Sequence, residues 1–299
     1  MYTGGGVDVE ALKIIISGII DGITGFLPVS SSGHMAVLRN VLHFGGEDSI
    51  LFDMLLKLAA IVVIIVGFRK DMLRLVKAFI ELVLIGFNNL AALFSNIVKR
   101  DQREYYPVSG AYKRLAMMIL VATVSTGIVG VCGRDFAAYA AGTVLFPGIF
   151  LVVTGIMLFL IDGIKKGEVS IKDAGLFEAF VIGGVQGLAV MPGLARCGMV
   201  IAVCLLFGFD RKLTWKFTFL AAVPSLIGTV ILDIADMVHY GIDDAGNTGW
   251  YILAALLAVA TGYIGLVQLN RILKRGRFMV LSIYCLVLGA FTLASIVVL

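Results

Sequence analysis

Charge is what this chain has least of. Only 15% of its 299 residues are Asp, Glu, Lys or Arg, against about 25% in a soluble domain. A chain of this make-up cannot cover itself with polar groups, which excludes a soluble globular protein. The formal net charge is +4, and no basic patch stands clear of the apolar runs, which excludes nucleic acid as a partner. Cysteine is sparse: Cys132, Cys197, Cys204 and Cys285 are scattered without C-x-x-C spacing. They read as small apolar residues in helices rather than a disulfide framework or a zinc site. No Walker loop or dinucleotide fingerprint occurs. The N-terminal "MYTGGGVDVE" has no positively charged segment, so a cleavable signal peptide is not expected. Histidine occurs three times and proline five times, so places where they meet other polar residues stand out.

Apolar sequence is abundant. Hydrophobic residues make up 60% of the chain and the mean hydropathy is +1.02. A helix needs about 20 apolar residues to cross a bilayer. Six stretches qualify, at about 50–68, 113–132, 141–162, 214–237, 250–269 and 278–298. Two further regions, about 10–42 and 174–209, are interrupted by "DGITGFLPVSSSGHM" and "MPGLARCG". Each arm is too short to cross alone, and a break at membrane depth is tolerated only inside protein or beside a polar cavity. Both regions therefore read as re-entrant hairpins.

The loop charges agree, because Lys and Arg gather on the cytoplasmic side. With six spans and two hairpins, every basic loop falls inside. The poorly basic loops "HFGGEDS", "GRDFAAY" and "HYGIDDAGNTG" fall outside. The first hairpin then enters from outside and the second from inside, as in an inverted repeat, whose polar sites lie at the repeat interface near the midplane. The fold expected is an all-α integral membrane protein of six transmembrane helices plus two re-entrant helical hairpins in an inverted-topology repeat. It forms a single polytopic domain over 1–299, with repeats at about 8–132 and 174–299. The stretch 71–98, with Lys77, Glu81, Asn88 and Asn89 among apolar residues, would break the charge pattern if it crossed. Residues 71–110 read as an insertion carrying an amphipathic helix on the inner surface.

The breaks carry the chemistry. Ser30, Ser31 and Ser32 supply hydroxyls ahead of a helix whose N-terminus favours an anion, phosphate above all. The same serines suit ordinary helix caps. His34 suits a nucleophile, acid or base, and an ionisable group at membrane depth is costly enough to suggest function. Arg196, at the second tip, needs an anion, either a carboxylate partner or a phosphate ligand. Asp21 and Gln186 lie in the corresponding leading arms. Asp53 and Lys57 sit four apart on one helix face, as an internal ion pair or with Lys57 adding charge to the site.

These residues resemble the undecaprenyl pyrophosphate phosphatase family, the bacitracin-resistance proteins. Its first motif has the form E-G-x-T-E-F-L-P-V-S-S-S/T-G-H, here D-G-I-T-G-F-L-P-V-S-S-S-G-H. Its second has the form P-G-x-S-R-S-G, here P-G-L-A-R-C-G. "FDMLLKLAAIVVIIVGFRKDM" and "VQGLAVMPG" are similar to two further family segments, and the likeness runs in order along nearly the whole chain. The resemblance implies the same fold and the hydrolysis of undecaprenyl pyrophosphate to undecaprenyl phosphate. That reaction recycles the lipid carrier of peptidoglycan synthesis at the outer face of the bacterial plasma membrane. It implies Ser31, His34 and Asp21 as catalytic residues. It implies Arg196 and the tip amides as substrate contacts, to which the reading of the residues adds Ser30, Ser32, Gly193, Gln186 and Lys57. It also implies a divalent cation, Mg²⁺ or Ca²⁺, on Asp21. The partners implied are the polyprenyl pyrophosphate and membrane lipids; the sequence leaves a homo-oligomer open. The chain departs from the family at Gly25, where the second carboxylate is missing. Ala195 and Cys197 replace two serines, Ser125 a helix proline, and Lys57 a His or Gln. A second reading follows from these losses: a catalytically impaired homologue that binds or translocates polyprenyl phosphates.

Overall fold

A computed structural model describes residues 4–42, 44, 49–99, 104–241 and 245–296. The stretches "HFGGEDS" and "HYGIDDAGNTG" and the basic residues Arg100 and Arg103 lie wholly or partly outside the described residues. Eleven α-helices make up the described chain: α1 Gly4–Phe26, α2 Ser31–Asn40, α3 Ile50–Gly67, α4 Arg69–Lys99, α5 Ala111–Ala141, α6 Leu145–Ile161, α7 Leu176–Leu188, α8 Arg196–Leu206, α9 Arg211–Tyr240, α10 Thr248–Arg275 and α11 Met279–Ser295. Five of them, α3, α4, α5, α9 and α10, are long and apolar enough to cross a membrane; α6 and α11, of 17 residues each, are shorter apolar helices. The protein is an all-α, multi-pass membrane protein.

Both expected breaks are present. α1 stops at Phe26, two residues before Pro28, because the residue preceding a proline is driven out of the helical region. α7 stops at Leu188, ahead of Pro192. Backbone groups freed inside a membrane must find partners, and neighbouring side chains supply them. At the second break Thr154 Oγ1 donates to the Gly193 carbonyl at 2.9 Å and accepts from Ala195 N at 3.1 Å. At the first, the Cys285 thiol lies 3.9 Å from the Pro28 carbonyl and the Cys197 thiol 3.7 Å from that of Phe26.

Small residues let the arms pack closely. Gly18 and Gly22 of α1 press on α10, where an added Cβ would meet the Ala254 carbonyl at 2.7 Å and Thr261 Oγ1 at 2.2 Å. Gly183 and Gly187 of α7 press on α5, where an added Cβ would meet the Ala122 and Thr126 carbonyls at 2.2 and 2.8 Å. Each arm thus uses a Gly-x-x-x-Gly pair to bring backbones together without relying on a hydrophobic driving force, which lipid removes. The two tips also touch. A Cβ on Gly33 would lie 3.0 Å from Gly193 Cα, and one on Gly198 would lie 2.9 Å from Pro28 Cβ.

One end of the bundle gathers the basic loops. Asp162 Oδ1 caps α11 through Phe278 N and Met279 N, at 2.5 and 2.9 Å, and Arg211 reaches the Lys274 and Ile164 carbonyls. An apolar core fills this end, with Phe26, Phe219, Phe68 and Trp215 in successive ring contact at centroid spacings of 5.9, 5.6 and 5.3 Å.

α4 is one unbroken helix, apolar on much of its exposed surface. Its first half is tied to the bundle by polar contacts. Asp71 accepts from Tyr112 and from Lys216 Nζ, and Glu81 pairs with Lys113 at 2.9 Å. Further along, the Asn89 side chain bonds both backbone groups of Tyr106, at 3.0 and 2.7 Å. The non-helical segment 104–110 therefore runs back beside the helix.

Candidate active site

A cavity of about 420 Å³ lies where the two tips meet α3, α5 and α9. Its polar wall contains Asp21, Thr24, Ser30, Ser31, Ser32, Arg39, Asp53, Lys57 and Arg196. Asp21, Thr24 and Gly25 share one face of α1, three and four residues apart. Ser31, Ser32, Met35, Ala36 and Arg39 share one face of α2. Arg196 opens α8. The N-termini of α2 and α8 both converge here, and their first-turn N–H groups have no partners within their own helices, so both ends present partial positive charge.

The Asp21 carboxylate lies beside the Ser31 hydroxyl, and Ser31, Asp53, Arg196 and Lys57 are all close enough to act on it electrostatically. Ser30 caps α2, its Oγ accepting from Gly33 N at 3.1 Å, and lies 3.3 Å from Ser32 Oγ. Ser30 is the one non-glycine with positive φ among the described residues, at φ 67° and ψ 98°, a conformation that costs on the order of 1–3 kcal/mol. No carboxylate among the described residues comes within ion-pair distance of Arg196. The cavity wall therefore holds three cationic side chains against two carboxylates.

Of the expected site residues, Asp21, Ser30, Ser31, Ser32, Lys57 and Arg196 line this cavity, and His34, Gly193 and Gln186 do not. At about 100° per residue, His34 lies about 130° around α2 from the centre of its cavity face. It points instead to α11, where Nε2 lies 2.6 Å from Tyr284 Oη and the rings stack at 5.6 Å. Gly193 is a packing residue. Its φ of 106° and the Pro147 carbonyl, 2.6 Å from any added Cβ, admit only glycine. Gln186 is buried and donates to the Ala221 carbonyl and Ser225 Oγ, at 3.2 and 2.9 Å, tying α7 to α9 beside Pro224. Lys57 keeps its place in the wall, but its ammonium sits on both oxygens of Asp233, at 2.7 and 2.9 Å, 176 residues away in sequence. Asp53 faces Arg39 at 4.0 Å.

Arg39 and Asp53 are wall residues that sequence reasoning did not place in the site. Arg39 was findable, since it lies eight residues after Ser31 and so returns to the same helical face. At Gly25 the wall is open: an added Cβ would have only Ser31 Oγ near it, at 4.0 Å. Among the described residues no three His, Cys, Asp or Glu side chains gather as a metal site. Asp21 and Asp53 are the two carboxylates of the cavity wall. That suits a hard cation such as Mg²⁺, which takes one or two protein carboxylates and its other ligands from phosphate and water.

The family model for the bacitracin resistance protein BacA matches residues 14–291. A protein of Methanobrevibacter smithii named undecaprenyl-diphosphatase is 31% identical over 281 residues, covering 94% of this chain and 95% of that protein. Proteins of the same name from Methanosphaera stadtmanae and Desulfosudis oleivorans are 33% and 34% identical. They cover 97% and 95% of this chain and 99% and 98% of their own lengths. Matched over residues 14–291, this chain belongs to the BacA bacitracin resistance family.

Proposed function

We propose that the protein is an undecaprenyl-diphosphatase, a membrane hydrolase that converts undecaprenyl diphosphate to undecaprenyl phosphate and phosphate. The observation that carries this is Arg196, a cation beside the Asp21–Ser31 pair, at the meeting point of two helix N-termini. A diphosphate supplies the anion these groups lack. Catalysis is favoured over mere binding or translocation because a nucleophile and a base lie side by side in the cavity wall.

The Ser31 hydroxyl attacks the terminal phosphorus as its proton passes to Asp21. The bond from that phosphorus to the bridging oxygen breaks, and undecaprenyl phosphate leaves. Asp21 gives up the first proton to the departing phosphate or to water. Water then attacks the phosphoserine and gives its proton to the freed carboxylate. The bond from phosphorus to the Ser31 oxygen breaks, and Asp21 returns a proton to that oxygen as phosphate leaves. Arg196 and the first-turn amides of α2 and α8 hold the charge that builds on the phosphoryl oxygens. Asp21 and Asp53 would hold a divalent cation, whose contribution is to neutralise the diphosphate.

The site opens outward in this reading. Wall residues run along α3 from Asp53 to Ile64, about 16 Å at ~1.5 Å per residue. The aromatic contacts at Phe26, Phe219, Phe68 and Trp215 close the end where the basic loops gather. The inverted repeat is supported by the mirrored pairings α1–α10 and α7–α5, each through Gly-x-x-x-Gly. α4 lies along the inner surface rather than crossing. The segment 104–110, paired to it at Asn89, would otherwise carry unpaired backbone into lipid.

Two measurements check these points. Purified protein in detergent is expected to release phosphate from undecaprenyl diphosphate; release no faster than from a lipid-only control refutes the function. In a Cys132→Ser background, Asn88→Cys and Val98→Cys should react with impermeant maleimide only from the inner side. Labelling of Val98→Cys from outside would show that α4 crosses.

A further inference from the structure

We propose that His34 is a positioning residue which, with Tyr284, clamps the Ser30 carbonyl and thereby aims the serine run at the cavity; it is not the acid, base or nucleophile. The inference rests on the phosphatase reading of the cavity. Both ring nitrogens of His34 are engaged outside that cavity. Nδ1 lies 2.7 Å from the Ser30 carbonyl. A carbonyl oxygen only accepts, so Nδ1 carries the proton. In the neutral ring Nε2 then bears the lone pair, and the Tyr284 hydroxyl donates to it at 2.6 Å. The two rings lie within 12° of parallel, so the imidazole is held by stacking as well as by both bonds.

What this clamp holds is the most strained point of the hairpin. Ser30 has left-handed φ, and its carbonyl takes two bonds from residue 34, the backbone N–H at 3.2 Å and the imidazole. Its hydroxyl caps Gly33, and the next residue is Ser31. Releasing the carbonyl frees the turn that sets where the Ser31 hydroxyl points. α11 anchors the far side of the clamp: Ser282 Oγ donates to the Gly155 carbonyl at 2.7 Å, and the Cys285 thiol meets the carbonyl of Pro28.

The test combines turnover with a readout that needs no turnover. His34→Ala and Tyr284→Phe are each expected to lower kcat, up to ~100-fold for His34→Ala, the scale of a roughly 1 Å misplacement. The double variant should be little worse than His34→Ala, because the two residues act as one unit. His34→Asn retains a side-chain N–H for the Ser30 carbonyl but has no titratable ring. It should recover most of the loss and keep the wild-type shape of the pH–rate profile. A dead His34→Asn, or one that has lost a limb of that profile, overturns the proposal. Independently, ¹⁵N-histidine spectra, assigned by difference against His34→Asn, should show the Nδ1–H tautomer. That signal should not move when inorganic diphosphate is added. An Nε2–H tautomer, or a shift with diphosphate, also overturns it. If wild type releases no phosphate but keeps that tautomer and an unmoved signal, the phosphatase reading fails and the clamp stands.

Discussion

Ser31→Ala is expected to reduce phosphate release by ~10⁴-fold or more, the scale seen when a nucleophile is removed from a site whose other parts remain. The expectation follows from the contact between Ser31 and Asp21. Among the serines of the run, this is the hydroxyl that lies beside a carboxylate of the cavity and acts on it. Ser30 is committed to capping α2 and Ser32 faces Ser30. Asp21→Asn can still accept the hydrogen bond but cannot take the proton, so it should lose ~10²–10⁴-fold, the range of general-base catalysis. Rapid quench with substrate labelled in the terminal phosphate should trap label on the protein in wild type and none in Ser31→Ala. If Ser31→Ala retains activity within tenfold of wild type, water attacks phosphorus directly and the serines only bind. The same experiment separates the hydrolase from a translocator, which would trap no label in either form.

Much of this arrangement was legible in the sequence because its causes are local. Pro28 and Pro192 fall in glycine-rich polar breaks, unlike Pro224 inside the apolar run of α9, so both breaks were visible. The loop charges gave each break an expected direction. What sequence left open was which way the side chains point. The motif identifies His34 by type, but three residues of helical turn separate it from Ser31, and on a ten-residue arm that rotation sends it to α11. Arg39 obeys the same periodicity and returns to the cavity. Lys57 illustrates the other limit. Asp53, four residues away, was the visible partner, whereas Asp233 reaches it only through the packing of α3 on α9. Gln186 precedes the second break much as Asp21 precedes the first, yet its amide ties α7 to α9 and does not line the cavity.

Arg196 is the residue whose loss should separate activity from stability. Arg196→Ala is expected to lower kcat/KM by ~10³-fold, comparable with loss of a main donor to a developing oxyanion. Arg196→Lys should recover only part, because an ammonium keeps the charge but lacks the planar fork that engages two phosphoryl oxygens. In the structure the guanidinium has no carboxylate at ion-pair distance among the described residues. A cation held in a low-dielectric protein without a close counter-ion is destabilising. Arg196→Met, similar in length and uncharged, should therefore raise the thermal midpoint of the detergent-solubilised protein while abolishing turnover. Adding inorganic diphosphate should stabilise wild type and leave Arg196→Met unchanged, since only the former has a site for the anion. A lower midpoint in Arg196→Met, with no diphosphate effect on wild type, would mean that the arginine supports the second tip structurally and that the phosphate is held elsewhere. The opposite pattern places the electrostatic cost of the fold at the point where the substrate's charge relieves it.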